Sequence, residues 1–301
     1  MVTIRMDGPQ SPRPAGAAGP AVGPALSVVV PARDEAASLP ALVGEIVATL
    51  RGLGERPPWC GAGPLGGFEV VVVDDGSTDE TRRVLRELAA IHPELRPVRL
   101  AANAGQSAAS AAGFRAARGD WVATLDADLQ NDPADLVTLW DALPGHDAVL
   151  GWRERRADAW SRRAISLLAN RARNAILGQA IRDTGCSMRI FRREHALRLP
   201  AFRGCHRFYG PLLLREGCRV RQVPVNHRPR AHGRSHYNWR NRSLRVVADL
   251  LGVAWLMRRP LRYEVVEEAA GRPAAGGPLP LAWPAPRARA GVDAAAAAEG
   301  L

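Results

Sequence analysis

The sequence predicts an α/β fold with a mainly parallel central sheet flanked by helices, and three observations predict it. Short β-branched apolar runs alternate with segments of helical periodicity from residue 26 to about residue 153. The runs are nearly continuous in apolar residues, as strands covered on both faces must be. Each run also gives way to charged or amide side chains at its carboxyl end, where open α/β sheets bind their ligands.

The first strand is LSVVVPA, followed by Arg33, Asp34 and Glu35. Leu39 to Leu50 carries apolar residues at helical spacing behind Ser38, a candidate N-cap. A Gly/Pro-rich stretch, residues 52–67, separates it from the second strand, FEVVVVD, which ends in Asp74 and Asp75. Ser77, Thr78 and Asp79 are placed to cap the helix TRRVLRELAAIH. PVRLAAN is a third strand ending at Asn103, and GQSAASAAGFRAARG a helix of small residues. DWVATLDADLQ is a fourth strand ending in carboxylates. DPADLVTLWDAL is helical with Pro133 near its first turn, and HDAVLGWR is a fifth strand ending at Arg153.

With 301 residues the chain can bury a sizeable core. Its formal charge of +11 points to an anionic partner. All 41 basic residues are arginine, however, and alanine, glycine and proline abound, as GC-rich coding would produce. The placement of the charge therefore matters more than its sum. Cys60, Cys186, Cys205 and Cys218 form no CxxC pair, which argues against a disulfide framework or a ribbon-type zinc site and suits a reducing cytoplasm. The apolar stretch Val246 to Met257 has 12 residues and contains Asp249, too short for a spanning helix of roughly 20. The first 25 residues lack the apolar run of a signal peptide and read as a disordered leader. Residues 26–225 are expected to form the folded domain, 226–262 a loop and amphipathic helix, and 263–301 a disordered Ala/Pro-rich tail.

Asp126 and Asp128 sit two apart at a strand end, where period two turns both carboxylates to one side. Such a pair can hold one hard divalent cation and leave positions for phosphate oxygens, with Gln130 as a further oxygen donor. A lone DxD more often marks a solvated loop. Asp74 and Asp75 in succession would repel one another and require compensation. Asp34 and Glu35 could equally be first-turn helix acids. Without lysine there is no Walker P-loop, and no GxGxxG follows the first strand. Acid-lined strand ends point instead to metal-mediated binding of a nucleotide diphosphate.

Taken in order, LSVVVPARDE, VVVDDGSTDET, LAANAGQSAASAAGFRAARGDWVATLDADLQNDP and IRDTGCSMRIFRRE resemble family 2 glycosyltransferases of the GT-A fold. The likeness is to the dolichol-phosphate mannosyltransferase and polyprenyl-phosphate glycosyltransferase type, over about residues 26 to 260. It implies that Pro31, Ala32, Arg33, Asp34 and Glu35 line the nucleoside pocket and that Asp74, beside Asp75, contacts base or ribose. It further implies that Asn103, Gly105 and Ser107 close over the nucleotide, and that Asp126, Asp128 and Gln130 are the metal-binding DxDxQ, for Mg2+ or Mn2+. The QxxRW motif of cellulose- and hyaluronan-type relatives is absent.

The same resemblance implies that Arg153, Arg162 and Ser166 hold a lipid phosphate, a role that suits the planar fork of arginine. It places Asp183 near the reacting centre. RPRAHGRSHYN is similar to a late RxxGxSKY segment, with Arg230, Gly233 and Ser235 in place but His236 where relatives carry lysine. The implied reaction is inverting displacement by a polyprenyl phosphate oxygen on a nucleotide-diphosphate sugar, GDP-mannose or a UDP-hexose. That acceptor is already an anion and needs no strong base, whereas a hydroxyl acceptor would need one, for which Asp183 is the candidate. The stretch Trp239 to Arg259 reads either as an amphipathic helix in an anionic membrane interface or as a final helix on the core. Peripheral attachment at the inner face of the cytoplasmic membrane is expected. A saccharide acceptor, or a non-catalytic nucleotide-sugar scaffold, are the alternatives. No reader module supports nucleic acid as partner.

Overall fold

The computed structural model describes residues 24–56, 61–154, 171, 173–178, 181–229 and 242–259. Seven strands form one sheet: β1 (Leu26–Ala32), β2 (Phe68–Asp74), β3 (Leu95–Arg99), β4 (Trp121–Thr124), β5 (Ala148–Arg153), β6 (Arg189–Arg192) and β7 (Val220–Val225). Helices include α1 (Leu39–Gly54), α2 (Thr81–Ile91), α3 (Gln106–Ala116), α4 (Asp135–Asp141), α5 (Arg193–Arg198), α6 (Tyr209–Arg215) and α7 (Arg242–Arg258), with a 3₁₀ turn at Cys205–Phe208. The strand order is β3-β2-β1-β4-β6-β5-β7, and β6 alone among these runs antiparallel to its neighbours. Both edge strands carry a proline, Pro97 in β3 and Pro224 in β7, residues that cannot donate to another strand.

The chain reverses its direction of growth between β1 and β4, the switch point at which such sheets open a crevice. The antiparallel β6 adds a second route to that crevice, because it begins at the edge where β4 ends, and the segment leading into it is delivered there too. Val28 and Val30 face a core built with α1 and α4 through Leu42, Ile46 and Leu139, all without solvent exposure. Val29 and Val71 face the opposite core, where Phe114 of α3, Phe191 and Tyr209 stack with ring centroids 5.5–6.4 Å apart.

Several expectations need correction. Ser38 precedes α1 but makes no cap bond; its hydroxyl donates to Glu35 Oε2 at 2.7 Å. Strand β4 stops at Thr124, two residues before Asp126, so the acids lie on the turn that follows. The tail from 263 and the leader before residue 24 lie outside the described residues, while Ala25 already bonds to Gly67 and Trp121 at the sheet margin. Cys186, Cys205 and Cys218 are free and buried, and Cys60 lies outside the described residues.

Glu216, just after α6, is buried with neither carboxylate oxygen hydrogen-bonded. Burial pushes its carboxyl up to about 7 from an ordinary 4.5. The folded state therefore binds more protons than the unfolded state between those values, and stability falls as pH rises from 4.5 through 7. Glu216→Gln should abolish this dependence and raise stability at pH 8 by about 3 kcal/mol, as read from urea unfolding at pH 5 and pH 8.

Candidate active site

The turn after β4 keeps the alternation of a strand without its hydrogen bonds. Leu125, Ala127 and Leu129 are buried, while Asp126, Asp128 and Gln130 are half-buried on the side they share. Leu129 holds a left-handed backbone, φ +61°, a conformation that costs a leucine of order 1–3 kcal/mol and persists only where the surroundings enforce it. They do so here. Asp128 Oδ1 accepts from Gln130 N at 3.1 Å, and Asn131 Oδ1 accepts from Asp126 N and from Ser187 Oγ, the latter at 2.7 Å. On the far side Arg228 N donates to Gln130 O, and Asn131 bridges to His227.

Asp126 also accepts from Gln106 Nε2 at 2.8 Å. Burial, and then the charge of Asp128, push its carboxyl up. Among the described residues no group of three or more acids, histidines or cysteines gathers to cage an ion. Two mutually repelling carboxylates with an amide beside them fit a hard cation whose remaining positions are left to phosphate oxygens and water.

Beside this turn the loops after β1 and β2 are laced together. Asp34, at φ +54°, donates its N–H to Ser77 Oγ, and its carboxylate accepts from Thr78 N, Thr78 Oγ1 and Asp79 N. The Thr78 N–H foremost holds the Asp34 carboxyl below its usual range. Ser77 and Thr78 thus serve this lacing rather than capping α2; Asp79 alone of the three accepts from Thr81 N. The adjacent acids diverge. Asp74 Oδ1 accepts from Ser77 N with Arg99 Nε 3.7 Å from Oδ2, while Asp75 accepts from Asn103 Nδ2, Ala104 N and Gly105 N at 2.7–2.9 Å. Their repulsion is relieved by the fold itself. Gly76 between these partners has φ +66°, and a Cβ there would lie 2.5 Å from Asn103 N.

The other residues expected at the nucleoside pocket are placed as follows. Pro31 lines the cavity beside Asp126, Ala32 is buried, Arg33 is exposed with Nε 3.5 Å from Asp34, and Glu35 holds Ser38. Ser107 faces inward, where its Oγ accepts from Gly204 N at 2.9 Å and lies 2.7 Å from His206 Nδ1, joining α3 to the 3₁₀ turn.

Across the crevice, Asp183 is buried and held bidentately by Arg153, Nε–Oδ2 2.7 Å and Nη2–Oδ1 3.0 Å, while Gly185 N donates to Oδ1 at 3.0 Å. Arg173 Nη1 donates to Thr184 Oγ1, and Arg207 and Arg189 line the cavity between Thr184 and Asp126. Arg162, Ser166 and Arg230, with His236, lie outside the described residues. The expectations from sequence did not include Arg173, Arg189 or Arg207. Their signal was hidden because every basic residue is arginine, and because β6 and its approach were not recognised as a strand.

The family model for glycosyl transferase family 2 matches residues 27–199, which contain the lacing, the acidic turn and the Arg153–Asp183 pair. The chain belongs to family 2 of the glycosyltransferases. This glycosyltransferase is 36% identical over 214 residues to an undecaprenyl-phosphate 4-deoxy-4-formamido-L-arabinose transferase of Aeromonas hydrophila, covering 70% of this chain and 62% of that one. It is also 36% identical over 247 residues to a dodecaprenyl-phosphate galacturonate synthase of Rhizobium johnstonii, covering 79% and 68%. The chain thus spans 62% and 68% of the length of these two relatives. Among solved structures, a mannosyltransferase of Pyrobaculum calidifontis in complex with GDP-Man and Mn2+ superposes with a TM-score of 0.56 at 24% identity, covering 78% of this chain and 65% of that chain. That likeness concerns the fold, which is the GT-A architecture expected from the motifs.

Proposed function

We propose that the enzyme transfers a sugar from a nucleotide-diphosphate sugar to a polyprenyl phosphate, with inversion and with dependence on Mg2+ or Mn2+. The observation that carries this reading is the opposition, across the switch point, of an acidic turn and an arginine-rich wall whose central carboxylate, Asp183, is already tied to Arg153. A hydroxyl acceptor needs a base, and a carboxylate with both oxygens engaged by a guanidinium is a poor one. A phosphate acceptor needs cationic positioning instead, which arginines provide. The names of both relatives, each a polyprenyl-phosphate sugar enzyme, support the same acceptor.

In this reading Asp126 and Asp128, with Gln130, hold the divalent ion, which when bound neutralises the leaving nucleotide diphosphate. The laced loops bearing Asp34, Asp74 and Asp75 form a rigid floor for the nucleoside. The Asp183–Arg153 pair fixes the guanidinium that faces the acceptor. Arg162, Ser166 and Arg230 complete the phosphate site by resemblance. Radiolabelled nucleotide sugar incubated with polyprenyl phosphate should yield label that extracts into organic solvent. Label that transfers only to a soluble saccharide would refute the lipid acceptor.

Attachment to the membrane surface is supported by α7. Among the described residues no helix is long and apolar enough to cross a membrane. One side of α7 packs through Val253 and Ala254 on Phe208 and Leu212, and Asp249 approaches Arg207. Its other side exposes Val247, Leu251 and Trp255, spaced four apart as one stripe, with Arg259 over the Trp255 ring. We infer that this stripe lies in the headgroup region of an anionic cytoplasmic leaflet. Each side chain transferred contributes up to about 1.5–3 kcal/mol. The double substitution Leu251→Glu with Trp255→Glu should lower co-sedimentation with phosphatidylglycerol vesicles more than roughly tenfold, with the circular dichroism spectrum unchanged.

A further inference from the structure

Arg189 opens β6 and pairs in register with Thr124, the last residue of β4, two positions before Asp126. It is 6% exposed. Its Nη1 donates to His206 O at 3.1 Å, its Nη2 to Thr184 O at 3.2 Å, and its guanidinium lies 5.6 Å from the Tyr209 ring centre. Among the described residues no carboxylate comes within ion-pair distance of it. Asp183 is committed to Arg153, and Asp126 faces Asp128 and Gln106.

A guanidinium so deeply buried, with the charges of Asp126 and Asp183 acting on it only from beyond ion-pair distance, is costly; carbonyl dipoles offset part of the desolvation but carry no net charge. Two of its five N–H donors are used by those carbonyls. The group borders a cavity of about 170 Å³, whose wall also includes Pro31, Gln106, Ser110, Asp126 and Ser187. That volume is well below the ~300–1,000 Å³ of pockets for drug-sized ligands, so it suits one sugar ring or one phosphoryl group. The rest of the wall adds hydroxyl groups, the His206 imidazole and a second guanidinium, Arg207, chemistry that suits an anionic group.

We propose that this cavity receives an oxyanion of the donor and that Arg189 is its direct partner, a specificity-determining residue beside the acidic turn. The inference rests on the nucleotide-sugar reading and deepens it. The oxyanion has two possible sources in such a donor: the diphosphate, or a carboxylate on the transferred sugar.

The test uses the full chain with Mn2+, titrated calorimetrically with UDP, GDP, UDP-glucose, GDP-mannose, UDP-galacturonate and the parent nucleosides. Arg189→Gln should weaken binding at least tenfold, and Arg189→Lys less. A loss shared by the diphosphates and all the sugars assigns the diphosphate, whereas a loss confined to UDP-galacturonate assigns the sugar carboxylate. Either supports the proposal. Unchanged affinities across the panel overturn it, and so does an equal loss for the bare nucleosides, which a merely structural role would produce. Should Arg189→Gln fail to fold, Arg189→Lys decides by the same selectivity: a loss confined to oxyanion-bearing ligands supports the assignment, and none overturns it. If the wild-type chain binds no nucleotide at all, the donor reading falls first and the assignment of Arg189 with it.

Discussion

Asp128→Ala should lower metal-stimulated sugar transfer by about 10²–10³-fold or more, the scale of losing a group that stabilises developing charge. The fold should survive. Asp128 is half-buried on a turn, and the hydrogen bond it accepts from Gln130 N is a local one, worth about 1 kcal/mol. Turnover measured against Mn2+ concentration, beside a urea unfolding curve, separates the two effects. If Asp128→Ala kept full metal-stimulated turnover, the assignment of the turn as the ion site would be wrong.

The second large effect concerns the Arg153–Asp183 pair. Its side chains are 17% and 7% exposed. Removing one partner of such a buried pair leaves the other charge uncompensated, so Asp183→Ala should cost about 3–5 kcal/mol of stability. Replacing both with apolar residues of similar size should recover most of that loss. The combination Arg153→Met with Asp183→Leu is therefore expected to restore the urea midpoint while transfer stays lost, because the guanidinium proposed to position the acceptor is gone. A stable Asp183→Ala variant without activity would instead give Asp183 a chemical role of its own.

Much of the fold was legible because burial on both faces leaves no freedom in composition: β1, β2 and β4 had to be apolar runs, and α1 to α4 had to carry the spacing that covers them. Strands β6 and β7 escaped notice for a physical reason. RIFR and VRQVPV are short, lie near or at an edge, and carry charged or proline positions that blur the apolar signal. The acidic turn was legible as a motif, but not its left-handed Leu129. Nor could sequence tell that Asp75 would be spent on Asn103, Ala104 and Gly105, since that depends on a loop nearly thirty residues away.

The wall around the crevice is built of guanidinium groups, from Arg153 and Arg173 to Arg189 and Arg207. Such groups do not titrate in the physiological range. The wall therefore presents a fixed electrostatic background to the proposed donor and acceptor alike, neither strengthened by acid nor relaxed by mild base. In a chain that uses no lysine, that background is also closed to the acetylation by which cells commonly erase positive charge. Any sensitivity of the rate near neutrality then lies outside this wall, and the proposed phosphate acceptor, which gains its second negative charge near pH 6, is one source of it. This wall would meet the changing ionisation of its substrate while its own charge stays constant.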